Sequence, residues 1–138
     1  MSDPFDLQRF VAAQAGVHDR ALAELRAGAK RSHWMWLVFP QIAGLGLSPM
    51  AQTYAISNLA EARAYLAHPL LGPRLIACTA AVNGLEGRTA REIFGQPDDV
   101  KFRSCMTLFD HASDEAVFRR ALDKYFGGVE DPLTAARL

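Results

Sequence analysis

The sequence predicts an all-α fold, a single domain of about eight short helices that spans residues 1–138. Turn and capping signals recur at short intervals, and the segments between them place apolar residues at helical spacing. The one β-like run, Leu37–Phe39, is too short to indicate a sheet. Half of the residues are hydrophobic and 22% are charged, which is typical of a globular domain rather than a disordered chain.

The first two helices are predicted on either side of Gly16. Asp3 and Pro4 mark the start of the first helix, because proline is favoured at the first helical position. The second helix is expected from about Val17 to Ala27, where Gly28 provides a C-terminal stop.

The segment between Gly28 and Ser48 is an unusually long connection that combines very apolar and very polar residues. Trp34–Phe39 is apolar on every side, which predicts a short central helix enclosed by the others. Connections of this length are uncommon in compact domains and are often functional. This segment is therefore the first place to look for a site.

The remaining helices are predicted from their boundary residues. Ser, Thr, Asn and Asp caps or an early proline mark the starts, and glycine or a residue before proline marks the ends. These signals predict helices over residues 48–54, 58–67, 70–82, 89–95, 97–111 and 113–126, and a last turn from Asp131.

Charge and composition exclude several functional classes. The 15 Lys and Arg residues balance 15 Asp and Glu residues, whereas a general nucleic-acid binder carries a basic excess. No apolar run of about 18 residues indicates a membrane span, and the acidic N-terminus does not resemble a signal peptide. Two cysteines, Cys78 and Cys105, predict a reduced, cytoplasmic protein. No metal-binding or nucleotide-cofactor motif is present, so neither a metal nor a cofactor is predicted.

The polar residues that flank the two tryptophans have two interpretations. In the first, Ser32, His33 and Gln41 provide hydrogen-bond partners that buried indole N–H groups need. In the second, Trp34 or Trp36 forms the aromatic wall of a small-molecule site with cations at its mouth. The candidate ligand-binding residues of this segment are Lys30, Arg31, Ser32, His33, Trp34, Trp36 and Gln41.

A second set of candidates lies on the predicted helix of residues 97–111. Lys101 and Ser104 share one line of this apolar helix. Lys101 either extends to the surface beside a neighbouring aspartate or faces an anionic ligand, together with Ser104. The catalytic residue of an enzyme stays open among three carboxylates: Glu24, Asp110 and Asp131.

Several segments resemble an uncharacterised bacterial family of unknown function, sometimes labelled calpastatin-like. They include LQRFVAAQ, KRSHWMWLVFPQIAGLGLS and EIFGQPDDVKFRSCMTLF, and the resemblance extends from about Asp3 to Leu138. It implies a mainly helical fold with a short buried central helix, and it brings no established activity. The calpastatin label does not fit, because that inhibitor is disordered and this composition is globular.

A more remote similarity is to the helical family that acts on N-glycosidic and ADP-ribosyl linkages, which also places a lysine and Trp-containing segments around a nucleotide-sugar pocket. The sequence lacks that family's N-terminal Phe-Ser-Asn motif and an obvious match to its catalytic acid. No catalytic residue is therefore transferred from it.

Two functions from different classes follow from these observations. The first is binding of a phosphorylated or nucleotide-like small molecule in a Trp-lined pocket, with ADP-ribosyl or N-glycosidic hydrolysis as an extension. The alternative is a non-catalytic protein-interaction or regulatory module. A polar-lined cleft beside the tryptophans favours the first, and buried tryptophans without a cleft favour the second. The oligomeric state is not determined by the sequence.

Overall fold

A computed structural model describes residues 3–138 and confirms the all-α class. Within these residues there are ten helices and no strand, and the only extended pairing is an isolated bridge between Ile42 and Ile56. The helices are α1 Gln8–Gln14, α2 His18–Arg26, α3 Met35–Val38, α4 Pro49–Thr53, α5 Leu59–Ala67, α6 Leu71–Asn83, α7 Ala90–Phe94, α8 Asp98–Ala112, α9 Ala116–Phe126 and α10 Pro132–Ala135.

Helix α8 lies at the centre of the fold and packs against α5, α7, α9 and α10. Its apolar residues cover most of its circumference, so it has a partner on almost every side. Phe102 on this helix stacks on Phe94 with ring centroids 4.5 Å apart and meets Phe39 edge-on at 5.1 Å. This aromatic cluster joins α8 to α7 and to the end of α3.

The predicted central helix is present as α3. Trp34 and Phe39, which flank it, are 1% and 0% exposed. Trp36 differs from the expectation of burial on every side, because its side chain is only half-buried. The run Leu37–Phe39, which looked β-like, ends this helix rather than forming a strand.

Two helix starts differ from the predicted ones. Helix α1 begins at Gln8 rather than at Pro4, because Asp6 adopts a positive φ of 52° that ends the first turn. The Asp3 carboxylate still accepts hydrogen bonds from the backbone N–H groups of Leu7 and Gln8. Helix α9 begins at Ala116, later than Ser113 predicts.

The predicted helices that start at Asn58 and Thr89 are capped in different ways. Thr89 and Glu92 form a complete box, in which each side chain accepts from the other residue's backbone. Asn58 caps α5, but the Glu61 side chain accepts from Ser57 and from Arg9 instead. Arg9 and Glu61 form a largely buried ion pair at 2.9 Å that fastens α1 to α5.

No helix within residues 3–138 has the length and apolar character needed to cross a membrane.

Candidate functional site

Two adjoining clefts meet at Trp36 and Lys101, whose side chains line both. The smaller, which we call the Gln41 cleft, has a volume of about 190 Å³, and the larger, the Lys30 cleft, about 260 Å³. The Gln41 cleft is also lined by Gln41, Leu45, Gly46, Pro97, Val100, Ser104, Asp131 and Leu133. The Lys30 cleft is also lined by Lys30, His33, Trp34, Met35, Met50 and Asp98.

The Lys30 cleft brings two ammonium groups to one carboxylate. Lys30 Nζ lies 2.8 Å from Asp98 Oδ2, and Lys101 Nζ lies 3.3 Å from Asp98 Oδ1. The Lys30 side chain is only 7% exposed. Removing a charge from water is costly unless it is paired, so Asp98 stabilises this lysine. The three groups still carry one formal positive charge in excess.

Each lysine also lies over a tryptophan ring. Lys30 Nζ is 5.1 Å from the ring centroid of Trp34, and Lys101 Nζ is 5.0 Å from that of Trp36. Such cation–π contacts are favourable within about 6 Å. They hold both ammonium groups beside the aromatic walls of the clefts.

The Trp34 ring is fixed by a carboxylate on α2. Glu24 accepts hydrogen bonds from the Trp34 indole N–H at 2.9 Å, from the Ser32 hydroxyl at 2.6 Å and from the backbone N–H groups of Arg31 and Ser32. Burial alone would raise the pKa of Glu24, but these hydrogen bonds outweigh it and lower the pKa to about 2. The indole partner is therefore Glu24, and not Ser32, His33 or Gln41 as the sequence suggested.

The Gln41 cleft is closed on one side by the loop that follows α3. Gly46 lies directly on the Trp36 ring: a Cβ atom there would be 2.8 Å from Trp36 Cη2 and 2.6 Å from Ala51 Cβ. Only glycine permits this approach. The loop therefore fixes the ring that both clefts share.

Two buried polar side chains, Gln41 and Asp131, belong to the lining of the Gln41 cleft. Gln41 is 2% exposed, and its side-chain Nε2 has no hydrogen-bond partner among residues 3–138. A buried donor left without a partner costs about 1–3 kcal/mol. Asp131 is 6% exposed and accepts from Ser104 and Thr134. The lining of the cleft thus includes one buried donor without a partner and one ordered carboxylate.

The structure brings most of the predicted site residues together. Lys101, from α8, lies beside the tryptophan segment, a convergence that the sequence left open. Arg31 and Ser32 lie outside both clefts: the Arg31 side chain is exposed, and Ser32 binds Glu24. The seven that line a cleft are Lys30, His33, Trp34, Trp36, Gln41, Lys101 and Ser104.

Sequence reasoning missed several lining residues. A neighbouring aspartate was expected beside Lys101, but the pairing of Asp98 with Lys30 joins residues 68 positions apart and has no local signal. Gly46 was the one visible signal, because it lies in the loop after the tryptophans and glycine is the residue that permits a close approach of the backbone. Leu45, Val100 and Leu133 come from three separate elements.

The three candidate acid–base carboxylates have different surroundings. Glu24 is occupied by its hydrogen bonds, and Asp110 pairs with Arg119 at 2.7 Å. Asp131 is the one of the three that lines a cleft.

Burial raises the pKa of the Cys78 thiol to about 12 and that of Cys105 well above its ordinary value, so neither thiol suits nucleophilic chemistry. Within residues 3–138 there is no cluster of His, Cys, Asp or Glu side chains suited to a metal ion.

Comparisons with known proteins confirm the family resemblance. The sequence matches the family described as "Protein of unknown function (DUF1810)" over residues 4–138. The crystal structure of the conserved hypothetical protein Rv1873 from Mycobacterium tuberculosis is 59% identical, with a TM-score of 0.97, over 99% of this chain and 98% of that chain. No protein with a curated description matches. Because the family match extends over nearly the whole sequence, the chain belongs to this family of unknown function.

Proposed function

We propose that the protein binds a phosphorylated small molecule across the two adjoining clefts. Its phosphate lies between the ammonium groups of Lys30 and Lys101, and the rest of the molecule packs against Trp36. Nucleotide-like molecules and sugar phosphates belong to this class.

The observation that carries the proposal is the pair of lysines that share Asp98. Lys30 is almost fully buried, yet the two ammonium groups have one carboxylate between them. A phosphate at this position would receive charge-assisted hydrogen bonds from both, and such bonds are about twice as strong as neutral ones. The tryptophan rings under the lysines provide apolar area for the rest of the ligand.

The clefts also favour a small ligand over a protein-interaction module. Polar side chains line cavities directly beside both tryptophans, which is the arrangement expected of a pocket. The module has one observation in its favour, namely exposed apolar side chains near the rims of the clefts. Met50, Val100 and Leu133 line the clefts, and Leu47 follows Gly46 in the sequence.

The extension to ADP-ribosyl or N-glycosidic hydrolysis depends on Asp131. It is the candidate acid–base carboxylate that lines a cleft, and its Oδ2 already accepts three hydrogen bonds. A hydrolysis test with ADP-ribose and NAD therefore compares the wild type with Asp131→Asn.

We place the protein in the cytoplasm on the strength of two free, buried thiols, which suit a reducing compartment.

The binding proposal is tested by a thermal-shift screen with AMP, ADP-ribose, NAD and sugar phosphates, combined with tryptophan fluorescence. A ligand at 100 times its Kd stabilises the fold by about 2.7 kcal/mol. In a domain of this size, that raises Tm by several degrees. We expect the same ligand to change the tryptophan emission.

Lys101→Met and Arg31→Ala form a matched pair of variants, because each removes one positive charge. Lys101→Met should weaken binding at least about tenfold through the loss of a charge-assisted bond. Arg31→Ala should bind normally, since its side chain lies outside both clefts. The proposal fails if no compound in the panel shifts Tm, or if both variants lose affinity equally.

A further inference from the structure

The amide of Gln41 is held at the wall of the Gln41 cleft with an unused donor. The backbone carbonyl of Gln41 accepts from the Ile56 N–H at 2.8 Å, which fixes the position of this residue. Its side chain is nearly fully buried, and Nε2 has no partner among residues 3–138. A ligand atom that accepts a hydrogen bond would give Gln41 Nε2 the partner that it lacks.

The carboxylate of Asp131 is held in the same cleft with one oxygen available. Oδ2 accepts from the Thr134 N–H at 2.9 Å, from the Thr134 hydroxyl at 2.6 Å and from the Ser104 hydroxyl at 3.2 Å. The Asp131 N–H donates to the Thr107 hydroxyl at 2.9 Å. All hydrogen bonds that the described residues donate to this carboxylate therefore go to Oδ2, and Oδ1 is available to a ligand donor.

The remaining lining of the cleft is mostly apolar. Trp36 is half-buried, and Leu45 and Pro97 lie beside it. A ligand group that suits this mixed lining needs C–H bonds that pack on the apolar residues and hydroxyl groups, which both donate and accept, that reach Gln41 and Asp131. A sugar ring has this distribution. Among residues 3–138 no cation is paired with Asp131, whereas two ammonium groups neutralise Asp98, so a phosphate is repelled more strongly beside Asp131 than beside Asp98.

We propose that the Gln41 cleft is a sugar subsite, which binds the hydroxyl groups of a furanose or pyranose ring whose phosphate occupies the Lys30 cleft. A ring hydroxyl donates to Asp131 Oδ1, and an oxygen of the same ring accepts from Gln41 Nε2. Trp36 and Lys101 line both clefts and so connect the two subsites. This assignment rests on the proposed function and specifies its ligand as a sugar phosphate.

The test is isothermal titration calorimetry with ribose 5-phosphate, n-pentyl phosphate and inorganic phosphate. Ribose 5-phosphate should bind the wild type at least about tenfold more tightly than n-pentyl phosphate, which has the phosphate but no hydroxyl groups. If the two bind equally well, the sugar subsite is wrong and the proposed phosphate binding stands. If none of the three binds, the proposed function and the subsite both fail.

Two variants separate recognition from structural support. In Asp131→Asn the amide oxygen must take the Oδ2 position, because the groups of Ser104 and Thr134 that bind there are donors. The amide NH₂ group then takes the Oδ1 position, so the ligand meets a donor where it met an acceptor. Asparagine also caps helices as well as aspartate, so α10 should persist. Gln41→Met removes the unused donor at similar size. Each variant should lower the preference for ribose 5-phosphate over n-pentyl phosphate about tenfold without weakening n-pentyl phosphate binding. An unchanged preference in both variants would overturn the subsite.

Discussion

At the scale of single residues, Glu24 organises the aromatic side of the site without lining it. Its carboxylate collects four hydrogen bonds from residues 31–34. One of these fixes the Trp34 indole, and the Trp34 ring in turn lies under Lys30. The position of the Lys30 ammonium group thus depends on a carboxylate from α2.

The lowered pKa of Glu24 predicts a pH-dependent contribution to stability. The pKa falls from 4.5 to about 2 on folding. The stabilisation is therefore fully present well above pH 4.5 and is lost as the pH falls from there through about 2. We expect Glu24→Gln to lower the free energy of unfolding at pH 7 by on the order of 2 kcal/mol.

Urea denaturation of the wild type and Glu24→Gln at pH 7, 5, 4 and 3 measures this contribution. The difference between the two proteins should be constant from pH 7 to about 6 and should narrow below 4.5. A difference that is as large at pH 3 as at pH 7 would show that the carboxylate charge has no part in it.

At the scale of elements, the close approach of α6 to the end of α5 depends on Gly72. This residue is in the first turn of α6 and is fully enclosed by its neighbours. A Cβ atom at this position would lie 2.0 Å from the backbone carbonyl oxygen of Leu66 at the end of α5. A main-chain atom cannot yield as a flexible side chain can, so the two helices would have to separate.

Gly72→Ala should therefore lower the free energy of unfolding by about 3 kcal/mol or more, as severe overpacking does. Gly84→Ala is the matched control in the same helix region. Gly84 follows α6 with φ −78°, and a Cβ there would meet no heavy atom closer than 3.4 Å. The control should be neutral or stabilising by about 0.5 kcal/mol. Equal losses in chemical denaturation of the two variants would contradict this account.

At the scale of the whole molecule, the clefts join segments that are far apart in the sequence. The segment around residues 30–36, the loop at 45–46, the start of α8 and the start of α10 all contribute to them. A ligand that spans both clefts should therefore stabilise these segments together, because it contacts all of them at once.

Hydrogen–deuterium exchange with and without ribose 5-phosphate tests this coupling. We expect slower exchange in residues 30–36, 97–104 and 131–135. Helix α5 provides an internal control, since none of its residues lines the Lys30 or the Gln41 cleft. Protection confined to one of the three segments would contradict a ligand that spans both clefts.

Much of the fold was predictable because its signals are local. Ser48 with Pro49 and Thr89 with Glu92 start helices through contacts within three residues. Gly127 ends α9 in the left-handed region at φ 63°. The start of α1 was wrong because the left-handed turn at Asp6 follows from its surroundings and not from a strong residue preference.

The sequence alone determined the all-α class, most helix boundaries, the buried segment at residues 34–39 and the polar residues beside it. These depend on periodicity and capping, which act over a few residues. The tertiary structure alone decided that Lys101 lies over the Trp36 ring and that Asp98 forms ion pairs with two lysines. It also decided that Glu24 accepts a hydrogen bond from the Trp34 indole. It also separated Arg31 and Ser32 from the clefts. Side chains from distant segments meet only through helix packing, and no spacing within the sequence encodes that geometry.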